Sequence, residues 1–75
     1  MAFYTNHTRF AAIVTVRINS VIDDKNVVKI GLPSAPEAEE SSANTGYHDF
    51  LVRPGQILDL AEGTQADLVA VRSAT

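Results

Sequence analysis

Between Arg9 and Ile22 the apolar side chains fall on every second position: Phe10, Ala12, Val14, Val16 and Ile18 share one parity. Ala11, Ile13, Thr15, Arg17 and Asn19 share the other, and both sets contribute to the β-branched run Ile13-Val14-Thr15-Val16. A period of two marks a strand, whose successive side chains point to opposite faces. On a helix the same residues would scatter around the circumference, and Val14-Thr15-Val16 is a poor helix-forming run.

The remaining chain reads as further strands separated by turn residues. Asp23-Asp24-Lys25-Asn26 has turn composition, since Asp and Asn tolerate the left-handed conformation and bond their own backbone. Val27-Val28-Lys29-Ile30 then resumes as the return limb of an N-terminal hairpin. Residues 31–46, rich in Pro, Ser, Ala and Glu, bury little apolar surface and are expected to form a long exposed loop. Within it Ser34 and Glu37 have capping-box spacing around Pro36, enough for a turn or two of helix at most.

From Tyr47 to Arg72 three apolar runs follow one another, broken at Pro54-Gly55 and at Glu62-Gly63. Pro54-Gly55 suits the central positions of a type II turn, where Gly supplies a positive φ. The simplest arrangement is a three-strand meander. The expected fold is therefore all-β: a small antiparallel β-sandwich or barrel made of the N-terminal hairpin and the C-terminal meander. It forms one domain over residues 1–75, with residues 1–8 as a tail or arm.

Several of these strands are apolar on both faces. A small sheet with one solvated face should alternate apolar and polar, yet Leu51 stands opposite Phe50 and Val52, and Leu68 opposite Val69 and Val71. Either the other sheet of a sandwich or another subunit has to cover the second face. At 75 residues without cysteine the chain has little core and no disulfide to supplement it. Two histidines and no cysteine do not make a closed zinc site. Oligomerisation is the remaining aid.

The formal charge is −3, and the acidic excess sits in Glu37, Glu39 and Glu40. Without a basic stripe the chain is not expected to bind nucleic acid. No apolar run reaches the ~20 residues of a spanning helix, and no secretory signal opens the chain, so no membrane role is expected. Asn6-His7-Thr8 matches a glycosylation sequon, a match read as coincidental.

Candidate chemistry is sparse. His48-Asp49 is the one His-carboxylate neighbour pair, but neighbours in a strand point to opposite faces and cannot form a dyad. The serines show no nucleophile-elbow pattern, and the four glycines form no phosphate loop. Asp23 with Asp24 reads as a solvated turn, and Asp59, Glu62 and Asp67 read as turn-flanking acids rather than a cation site. No catalytic residue, metal or cofactor is expected, and the chain is not expected to be an enzyme. Arg17, Arg53 and Arg72, expected within strands, are candidate partner anchors through bidentate pairing with carboxylates. The aromatic residues Phe3, Tyr4 and Phe10 join them, because aromatics bury large areas. Leu51 and Leu68 complete the candidate contact set.

The run Phe50-Leu51-Val52-Arg53-Pro54-Gly55-Gln56-Ile57-Leu58-Asp59-Leu60, followed by Asp67-Leu68-Val69-Ala70-Val71-Arg72, resembles the closing strands of small tailed-bacteriophage capsid decoration, or cement, proteins. The likeness covers about the last third of the chain. It implies a non-enzymatic structural virion protein that is made in the host cytoplasm and sits on the capsid surface. It also implies a homo-oligomer, commonly a trimer, that bridges major capsid protein subunits. The alternative is a small ligand- or carbohydrate-binding β-module using His48, Asp49 and Arg53. A small hydrolase ranks third.

Overall fold

Val14, Val16 and Ile18 are fully or almost fully buried, and the strand that carries them is the centre of one of two sheets. A computed structural model describes residues 2–23 and 27–75, with the backbone alone at 36–38. Its strands are β1 (Tyr4–Thr5), β2 (Ala12–Ser20), β3 (Val28–Leu32), β4 (Ala35–Ser41), β5 (Gly46–Val52), β6 (Ile57–Leu60) and β7 (Gln65–Ser73). Four form a sheet in the order β1-β6-β3-β4 and three form a sheet in the order β5-β2-β7, with every pairing antiparallel. There is no helix among the described residues.

The two sheets stack as a sandwich around one apolar cluster. Ala12, Val14, Val16 and Ile18 from β2 and Val52 from β5 meet Val28 and Ile30 from β3 and Leu58 from β6, with Val27 and Ala43 filling in from connections. Each fully buried Val, Ile or Leu contributes roughly 1.5–3 kcal/mol relative to exposure. The period of two in β2 appears directly as alternating burial along its first seven residues.

The expected local pairings give way to cross-sheet ones. The N-terminal hairpin does not form, because β2 and β3 belong to different sheets. Edge-by-edge pairing would leave their apolar rows side by side on one open face, whereas stacking the strands buries both rows. The turn expected at Asp23-Asp24-Lys25-Asn26 falls, at 24–26, outside the described residues. The C-terminal meander is likewise replaced: β5, β6 and β7 alternate between the sheets. Pro54-Gly55 still makes the expected type II geometry, with Gly55 at φ 80° and Gln56 N donating to Arg53 O at 3.0 Å. Here that turn is a corner between sheets.

The expected long loop at 31–46 is mostly strand. β3 runs to Leu32, the chain turns at Pro33-Ser34, and β4 returns with Val28↔Ser41, Lys29↔Glu40 and Ile30↔Glu39 in register. No helical turn starts at Ser34. The Ala/Glu/Ser composition has little intrinsic β preference, but the free edge of β3 offers backbone partners that a solvated loop lacks.

Residues 2–8 are not a free tail. β1 pairs with β6 through Tyr4↔Leu58 and Thr5↔Ile57, and Phe3 and Tyr4 rest partly buried on the core. The next residue, Asn6, is 0% exposed and is the one buried polar residue among those described. Its Nδ2 donates to Phe10 O at 2.8 Å and to Val52 O at 2.9 Å. Its Oδ1 accepts from Thr8 N at 2.9 Å and Thr8 Oγ1 at 2.6 Å. Its backbone bonds the second half of the corner turn, donating to Gln56 O at 3.0 Å and accepting from Gly55 N at 2.9 Å. The amide that makes the sequon is thus consumed inside the fold. Replacing Asn6 with Ala removes the amide's bonds to Phe10 O and Val52 O inside the fold, and should cost about 2–3 kcal/mol. Thermal and urea unfolding of Asn6→Ala check this, with an expected fall in Tm of roughly 10–20 °C; a loss below about 0.5 kcal/mol in urea would contradict the role.

Candidate functional site

The three-stranded sheet turns its second face outward, and the β2 registers assign its rows. Ile13 stands between Leu51 and Arg72, Thr15 between Asp49 and Ala70, and Arg17 between Tyr47 and Asp67. Cross-strand neighbours in a row lie close enough to pair, and here opposite charges do. Arg17 Nη2 reaches Asp67 Oδ2 at 2.9 Å, and Asn19 Nδ2 donates to the same oxygen at 3.0 Å. Arg72 approaches Asp49 Oδ2 at 3.7 Å and donates to Thr15 Oγ1 at 3.3 Å, while the Thr15 hydroxyl donates to Asp49. Two of the three candidate arginines therefore complete a charge lattice within the chain. The third, Arg53, lies 3.9 Å from Glu39 of β4.

The structure separates His48 from Asp49. Asp49 lies in the outer row with Thr15, whereas His48 pairs with inward-facing Val16. His48 stacks on Phe50 with ring centroids 6.1 Å apart, and its Nε2 lies 2.7 Å from Asn44 O, so Nε2 carries the proton. Among the described residues no group of three or more His, Cys, Asp or Glu side chains comes together. Asp59 is on β6 in the other sheet, far in topology from Asp67.

The least satisfied element is β7. Only β2 pairs with it, and its far edge has no backbone partner among the described residues. Its inner face overhangs the four-stranded sheet: Leu68 and Val71, which face inward opposite Val16 and Val14, are 47% and 42% exposed. Between Thr15 and Val16 the register slips, so Val69 bulges from the ladder and is 49% exposed. Beside the strand's end lies a shallow, mainly apolar groove of ≈ 250 Å³ lined by Tyr4, Phe10, Ala12, Val71 and Ser73, among others. Of the candidate contact residues, Phe3 and Tyr4 serve the chain's own core first, while Phe10, Leu51 and Leu68 remain exposed.

The four sheet edges differ in how they discourage pairing. Short strands, prolines and charges all protect an edge. β1 is only two residues long, and β4 contains Pro36, which has no N–H, together with exposed Glu39 and Glu40. β5 begins at Gly46, with φ 119°, and points polar His48 inward. β7 is nine residues without Pro, Gly or an inward charge, and the bulge at Val69 is its one interruption. Comparison with known protein families, curated proteins and solved structures finds no match.

The bond from Asn19, followed by that from Arg17, holds the Asp67 carboxyl below its ordinary value near 3.8. Asp67 in turn, with Tyr47 beside it, raises the Arg17 guanidinium further. A depressed carboxylate contributes stability above its unfolded value and loses it as pH falls through the folded one. The contribution is small, because both side chains of the pair are about half exposed. Urea titrations from neutral to acid pH should show a shallower decline for Asp67→Asn than for the parent below about pH 4; identical acid limbs would assign the slope to other groups.

Proposed function

We propose that this chain is a structural subunit whose work is surface contact, serving as a decoration or cement protein on a viral capsid. The observation that carries the proposal is β7, which presents half-exposed apolar side chains and an open backbone edge instead of a pocket that gathers chemical groups. A long edge strand with apolar side chains this exposed, bulged only at Val69, offers a surface suited to a partner. The resemblance of residues 50–60 and 67–72 to the closing strands of phage decoration proteins supplies the setting. There the partner is the major capsid protein, and the chain acts from the outside of the shell as part of an oligomer.

The mechanism needs no chemistry. A protein that binds the assembled shell and not its free subunits stabilises the shell by mass action. Many copies, each linked to its neighbours, hold firmly even where one contact is weak. Removing the protein from purified particles, by extraction or gene deletion, should lower the temperature or osmotic stress at which they release their genome. Unchanged particle stability would overturn the cement mechanism, and absence of the chain from purified particles would overturn the virion role.

A further inference from the structure

β7 is complementary to itself. We propose that two copies of this chain join edge to edge along β7, antiparallel about a two-fold axis that passes between Val69 and Ala70, making one continuous sheet from the two three-stranded ones. This pairing deepens the contact reading above by naming a second copy as the occupant of the β7 edge.

The register follows from charge and from the bulge. With the axis between Val69 and Ala70, Asp67 of each copy stands opposite Arg72 of the other, and Leu68 stands opposite Val71. Directly opposed residues of an antiparallel pair share a face, so such a register requires Asp67 and Arg72 to lie on the same side of the sheet. They are an odd number of positions apart, and in an unbroken strand they would lie on opposite sides. The bulge at Val69 removes that conflict: Asp67 is paired with Arg17 and Arg72 with Ile13, both outward-facing positions of β2. Leu68 and Val71, opposite Val16 and Val14, both face inward. Since Arg17 and Ile13 have the same hydrogen-bonding phase in β2, Asp67 and Arg72 have the same phase at the free edge and can pair there.

Both faces of the join are then complementary. Outside, the lattice already formed by Arg17 with Asp67 and by Arg72 with Asp49 continues across the boundary with alternating sign. Inside, Leu68 of the second copy lies beside Val71, at the wall of the apolar groove that Tyr4, Phe10 and Ala12 also line. The two-fold arrangement brings two such grooves to the join, and it closes after two copies because the contact is the same patch on each.

Native mass spectrometry and sedimentation of the full chain should show a dimer. Leu68→Lys places a charge on the inner side of the join at a half-exposed position, and should weaken association about tenfold or more while circular dichroism still reports the β fold. Leu51→Lys, on the outer face of the opposite edge strand, should leave the dimer intact. Because the chain contains no cysteine, register can be read by mixing Asp67→Cys with Arg72→Cys: the disulfide expected on mild oxidation joins one variant to the other. A chain that stays monomeric at high concentration, a trimer, a dimer broken by Leu51→Lys and not by Leu68→Lys, or like-to-like disulfides would each overturn the pairing. A monomer that still binds capsids would leave the contact reading standing. A β7 dimer absent from capsids would leave the pairing and remove the capsid role.

Discussion

The sandwich depends on the side chain and backbone of Asn6. Two sheets stacked by apolar packing alone could slide, since dispersion and hydrophobic attraction have little direction. Hydrogen bonds inside a low-dielectric interior do have direction, and leaving one unmade is costly. Asn6 leaves β1 in the four-stranded sheet and bonds Val52 O at the end of β5 in the other sheet, Phe10 O just before β2, and Gly55 and Gln56 at the corner leading to β6. Two crossings between the sheets, β1 to β2 and β5 to β6, are thereby tied at one residue. Thr8 saturates the remaining amide oxygen, so the one buried polar side chain among the described residues is fully used.

With the sheets held in that way, the lengths of the strands decide which surface remains. β2 is nine residues long and flanked on both sides, so its inner row becomes the core. β7 is equally long, but only Ala66 of its inner face packs on the core, and Leu68 and Val71 keep nearly half their exposure. The outer face of the same sheet is organised instead by opposite charges across strands, which orient Arg17, Asp67, Asp49 and Arg72 without burying them. Asn6 and the β2 row thus hold the fold, while β7 leaves apolar side chains facing outward.

Much of this was legible in particular residues. The alternation from Phe10 to Ile18 identified the central strand and its buried face, and Pro54-Gly55 identified a type II turn with its positive φ. The apolar excess at Leu51, Leu68, Val69 and Val71 identified surface that a small monomer leaves uncovered. Other features were hidden because their partners lie far off in the chain. The Ala/Glu/Ser stretch at 35–41 lacks a β signature and becomes a strand by pairing with β3. Asn6 had a local signal in Asn-x-Thr, where Thr can close onto the amide, but the same three residues spell a glycosylation sequon. The bulge at Val69 has no local mark at all.

Backbone preference and side-chain periodicity are local properties, and from them alone it follows that this chain forms strands, where several of them turn, and which face of the central strand is buried. Only the tertiary structure decided which strands become neighbours, because stacking two apolar rows face to face buries both, and pairing chain neighbours edge to edge does not. That choice sent β2 and β3, and then β5, β6 and β7, to alternate sheets. It also left β7 at an edge, with its two ends brought by one bulge onto the same face.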